Sequence, residues 1–91
     1  MSTHKLKTWP QYFKDVQEGK KTFELRKNDQ NFKVGDKLQL LEYDPLVTDK
    51  NNAYTGKKQK TRIIYLIDGD TDDGFKLGLQ PGYILMGVQK L

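Results

Sequence analysis

Lys21, Glu24 and Arg26 lie close together in the stretch Gly19-Lys20-Lys21-Thr22-Phe23-Glu24-Leu25-Arg26. A lysine beside a carboxylate can serve as a base if desolvation lowers its pKa. An arginine presents a planar fork of donors suited to phosphate or to base edges. Thr22 to Arg26 alternates polar and apolar at strand period, so Thr22, Glu24 and Arg26 are expected to share one face and Phe23 and Leu25 to face a core. Glu24 and Arg26 would then stand roughly 6 to 7 Å apart along that face. The same spacing also suits a solvated ladder of surface ion pairs, and spacing alone does not choose between ladder and site.

The elements that would position these residues can be read on either side. His4-Lys5-Leu6-Lys7 has the pattern of a first strand. Thr8-Trp9-Pro10-Gln11 then matches a capping box with proline in the first helical turn. Trp9, Tyr12, Phe13 and Val16 recur at helical spacing and predict a core-facing stripe, which Gly19 ends by taking a left-handed conformation. Lys27 to Asn31 is a polar turn, and Phe32-Lys33-Val34-Gly35-Asp36 leads into a strand over Lys37 to Tyr43. The parity of that strand changes between Leu40 and Leu41, predicting a bulge or burial on both faces. Leu46 to Gln59 lacks periodicity and reads as a long loop or an extended hairpin. Thr61 to Ile67 is β-branched enough for a central strand, and Tyr83 to Val88 supplies the last. The expected fold class is α+β, mainly β: about five strands in a mixed sheet closing toward a small barrel, with one helix near the N-terminus.

A chain of 91 residues suits one domain with a single core. It contains no cysteine, which removes disulfides, thiolate catalysis and Cys-based metal sites. No run of about 18 apolar residues and no basic-then-apolar leader is present, so no membrane partner is expected and a cytoplasmic location fits. Sixteen Lys and Arg against twelve Asp and Glu give a formal charge of +4. That excess suits a polyanionic partner, although many small domains carry a similar one.

Other clusters have bland readings beside sharp ones. Asp68, Asp70 and Asp72 occupy positions one, three and five of a calcium-loop pattern, but Asp73 stands where glycine is required and Leu79 where the bidentate glutamate belongs. A solvated turn is the expectation there, with no metal and no cofactor implied. Lys57, Lys58, Lys60 and Arg62 are the densest basic cluster and suit either a phosphate backbone or a protected strand edge. His4, the only histidine, lacks partners for a triad or a metal site and is either a satisfied strand residue or a contact to a base. Trp9 is read as core ahead of a stacking platform.

The spacing Gly19-x-Lys21-x-x-Glu24-x-Arg26 resembles the G-x-K-x-x-E-x-R motif of ASCH domains, a branch of the PUA-like superfamily, and Phe32-x-Val34-Gly35-Asp36 falls where those domains turn into a barrel strand. Nearly the whole chain is similar to a group of short bacterial and prophage proteins. The shared landmarks are His4-x-Leu6-Lys7, Glu24-Leu25-Arg26-Lys27-Asn28-Asp29, Glu42-Tyr43-Asp44-Pro45, Tyr54-Thr55-Gly56 and Gly82-Tyr83. The resemblance implies a PUA-like β-barrel with a flanking helix and a cleft where Lys21, Glu24 and Arg26 meet RNA or a nucleotide. His4, Lys7, Asn28 and Tyr43 are implied as further cleft residues by landmark position. Some ASCH relatives hydrolyse N4-acylated cytidine with the motif lysine, a threonine and a glutamate, and another is described as a ribonuclease. Here Glu24 stands at the threonine position, and a carboxylate does not replace a hydroxyl nucleophile in acyl transfer. The expectation is therefore a binding module. The alternative is a small hydrolase of modified nucleosides or RNA, with Lys21 and Glu24 as its catalytic candidates.

Overall fold

The computed structural model describes all residues from Met1 to Leu91. Five strands form one mixed sheet in the order β1-β3-β4-β5-β2, where β1 is Thr3–Thr8, β2 Phe23–Lys27, β3 Lys37–Tyr43, β4 Tyr54–Asp68 and β5 Tyr83–Lys90. β1 runs parallel to β3 and every other pair is antiparallel. The sheet curls into a half-barrel whose two edges are β1 and β2, which is the expected mainly-β fold of five strands in a mixed sheet with a helix near the N-terminus, and its closure stops at an open seam between those edges. Its strands are consecutive in sequence at the seam, joined by helix α1 (Pro10–Gln17), which buries Phe13 and Val16 against the sheet.

The inner face alternates as strand geometry requires. Leu6, Leu38, Leu40, Ile63, Ile84, Met86 and Val88 point inward and form the core with Phe13, Val16 and Phe32. Removing each such side chain from water is worth about 1.5–3 kcal/mol. Two register shifts bend the sheet, one between Leu41 and Tyr43 and one between Ile63 and Tyr65. The first is the bulge that the parity change predicts. The segment read as loop or hairpin is a hairpin, because β4 already begins at Tyr54 after a short 3-10 turn over Lys50–Asn52.

Three local expectations are overturned. Trp9, not Thr8, occupies the cap of α1, and no side chain caps that helix. Thr8 instead ends β1 pointing inward, since β1 continues to it in register with Glu42 of β3. Trp9 is half exposed and stacks on Tyr12, with ring centroids 6.2 Å apart, so it leaves the core to Phe13 and Val16. A second short helix, α2 (Asp72–Lys76), replaces part of the acidic turn, capped by the Thr71 hydroxyl, which accepts from the Gly74 N–H. No helix is long and apolar enough to cross a membrane.

Candidate functional site

The C-terminal end of α1 sets the site. Gly19 has φ +77°, the Gly19 N–H donates to the Val16 carbonyl at 3.1 Å, and the Lys20 N–H donates to the Asp15 carbonyl at 2.9 Å. This is the paired closure of a Schellman motif, which needs a residue tolerant of positive φ. The chain is thereby turned so that Lys21 reaches toward β2, where Glu24 and Arg26 follow.

The facing of β2 is the reverse of the expected one. Glu24 points inward, opposite Met86 of β5, while Phe23 and Leu25 are about half exposed on the other face. A period of two separates the faces of a strand without saying which is buried. Here the edge position of β2 decides. A buried glutamate is tolerated because two cations reach it, and the apolar side chains remain at the rim of the open seam.

Glu24 is 1% exposed, and each of its oxygens has a cationic partner. Lys21 Nζ donates to Oε2 at 2.8 Å, and Arg26 Nε donates to Oε1 at 3.2 Å with Nη2 3.1 Å from the same oxygen. Arg26 Nη2 also donates to the Lys7 carbonyl at 2.9 Å, spanning the seam from β2 to β1. The Lys21 and Arg26 side chains stay 18% and 28% exposed. One carboxylate against two cations leaves one net positive charge. Donors are left over as well: Arg26 Nη1 has no protein partner, and Lys21 uses one of its three N–H groups on Glu24.

Above this triad lies a cleft of about 590 Å³ lined by Lys7, Thr8, Trp9, Tyr12, Lys21, Phe23, Glu24, Leu25 and Arg26. Its walls are aromatic and its floor ionic. Lys21 Nζ lies 5.8 Å from the Tyr12 ring centroid and 5.5 Å from that of Phe23. The Thr8 hydroxyl is the one buried side-chain polar atom without a hydrogen-bond partner, on a residue only 2% exposed. An orphaned buried hydroxyl costs about 1–3 kcal/mol, and this one belongs to a residue in the wall of the cleft. Sequence reasoning missed Thr8 because the capping-box pattern assigned its oxygen to the helix.

Of the residues singled out in the sequence, Lys7, Lys21, Glu24 and Arg26 are brought together. Tyr43 stands beside them without lining the cleft: Lys7 Nζ sits 4.7 Å from its ring centroid, and Tyr43 packs edge-on against Tyr54 at 5.0 Å. His4 and Asn28 lie elsewhere. His4 is buried against Phe32 with Nε2 2.8 Å from Asp36 Oδ2. That contact, with the Ser2 and Lys33 backbone N–H groups, holds the Asp36 carboxyl below the usual carboxylate range. Asn28 donates to Asp68 at 3.3 Å and ties β2 to the acidic turn, where Asp68 and Asp70 accept backbone N–H groups from Asp70 and Gly82.

These features define a small β half-barrel whose open seam is a cationic, aromatic-walled cleft. The chain belongs to the DUF3850 family, a domain of unknown function, which it matches over residues 3–88. It is also similar to an uncharacterized 12.9 kDa protein in the GpA 3′ region of Escherichia phage P2, with 38% identity over 65 residues. That match covers 71% of this chain and 54% of the phage protein, so the chain spans about half the length of that relative.

Proposed function

We propose that the seam cleft binds RNA or a nucleotide, in the manner expected of a PUA-like ASCH domain. The observation that carries this reading is the surplus of aimed, unused donors on Lys21 and Arg26, fixed by a buried Glu24 and walled by aromatic rings. Glu24 orients both cations, so their remaining N–H groups meet a phosphate or a base edge without further ordering. Trp9, Tyr12 and Phe23 offer stacking surface to a base. Thr8 supplies a hydroxyl that is either donor or acceptor to a base edge or ribose.

The binding reading is favoured over the hydrolase because Lys21 and Glu24 are committed to one another at 2.8 Å and Glu24 already holds Arg26. Isothermal titration with uridine and cytidine monophosphates at two salt concentrations tests it. Arg26→Ala should weaken the nucleotide by about 10- to 100-fold, the worth of charge-assisted hydrogen bonds. Unchanged affinity in that variant defeats the cleft as placed here. Turnover of N4-acetylcytidine or single-stranded RNA above a Lys21→Ala control would replace binding by catalysis.

A further inference from the structure

The outer, convex face of β1, β3 and β4 presents three cross-strand rows fixed by register: Thr3–Lys37–Arg62, Lys5–Gln39–Lys60 and Lys7–Leu41–Lys58. Six of these nine positions are basic and none is acidic. None of the six has a carboxylate partner, since every ion pair of the molecule lies elsewhere. Lys37 and Arg62 stand on adjacent strands about 4.8 Å apart, and Lys58, Lys60 and Arg62 follow one another at about 7 Å along one face of β4, so these charges lie within a Debye length of about 8 Å and repel one another. A surface selected for stability alone intersperses both signs. Four of the twelve acidic residues of this chain, Asp68, Asp70, Asp72 and Asp73, are instead gathered at the far end of β4.

We infer that this convex face is a track for the phosphodiester backbone of single-stranded RNA, running up to the seam cleft at Lys7. Lys7 belongs to both regions: it lines the cleft, and its ammonium lies 4.7 and 6.0 Å from the Tyr43 and Tyr54 ring centroids at the end of the grid. The exposed Tyr54 beside Tyr43 gives an unpaired base a ring to stack on where the row of cations meets the cleft. A flexible strand can follow a convex sheet, while a straight duplex touches it over a short length only. The choice of RNA among polyanions rests on the cleft reading; the charge grid itself does not.

The test is fluorescence anisotropy with a labelled 15-nucleotide oligouridylate at several salt concentrations, alongside uridine monophosphate titrations. The triple variant Lys58→Gln/Lys60→Gln/Arg62→Gln should bind the oligomer at least tenfold more weakly. Its salt slope should be shallower by about 2, the value for three lost single-strand phosphate contacts. Its affinity for the mononucleotide should be unchanged. Lys5→Gln/Lys37→Gln, on the neighbouring strands, should weaken the oligomer in the same direction. An oligomer affinity and salt slope equal to wild type in both variants would overturn the track. Stronger binding of heparin, of anionic phospholipid vesicles or of the same-sequence DNA than of RNA would overturn RNA as its occupant. Arg26→Ala separates the two readings: loss of mononucleotide binding with oligomer binding largely kept leaves the track standing alone, and the reverse result in the triple variant leaves the cleft alone.

Discussion

Asp36 and Glu24 are both buried carboxylates, and each holds a basic side chain at 2.8 Å. Asp36 is closed on itself. Its oxygens accept from His4 and from the Ser2 and Lys33 backbone N–H groups, all drawn from the β1 edge and the turn before β3, and His4 is itself buried. Glu24 is equally out of reach of water, yet both its partners extend into a cleft with donors to spare. A buried carboxylate with a basic partner is therefore not in itself a sign of a binding site. What separates the two is whether the basic side chain ends at the carboxylate or has donors aimed past it.

The sharpest way to break that contrast is Asp36→Ala, which strands His4 and two backbone N–H groups. It should cost about 3 kcal/mol, a drop of about 12–24 °C in Tm for a domain of this size, while nucleotide affinity of the folded protein stays as in wild type. A calorimetric scan with ligand titration below the new Tm reads both, and a weakened ligand would show that the two carboxylates are one network. Smaller is the effect of acid. Because folding lowers the Asp36 pKa, its stabilising contribution is complete above the unfolded value of about 3.9 and disappears as pH falls through the folded value. Thermal melts from pH 5 down to pH 2 should therefore lose stability more steeply in wild type than in Asp36→Asn; parallel curves would mean that the carboxylate is not held by these contacts. Smallest for the fold, and specific to the cleft, is Thr8→Val. It removes an unsatisfied hydroxyl, so Tm should hold or rise slightly, while the mononucleotide should bind about 3- to 10-fold more weakly, the net worth of one hydrogen bond. A fall in Tm with unchanged affinity would assign the hydroxyl to the fold.

Much of the architecture was legible because it depends on local pattern. Gly19 ends the helix since few other residues tolerate its φ, and the parity change near Leu41 marks the bulge that bends β3. The cleft was legible in its charges: Lys21, Glu24 and Arg26 do converge. Their facing was not, since alternation in Phe23-Glu24-Leu25 is the same pattern turned either way. Thr8 was hidden by a competing local role as a helix cap, and His4 by a partner, Asp36, thirty-two residues away. Trp9 fits the helical stripe in sequence, but it sits at the cap, before the helix has begun to turn its side chains toward the core.

The amino-acid sequence by itself determined the first helix and the five strands in outline, the helix stop, the excess of positive charge and the three ionic residues of the motif, because periodicity, backbone conformation and charge are properties of neighbours. Only the tertiary structure decided that the sheet stops short of closure, that Glu24 turns inward under two cations, that Thr8 is left without a partner, and that six basic residues from three strands share one face. Each of these is set by which strand lies beside which, and strand pairing joins residues far apart in the chain that no local pattern relates.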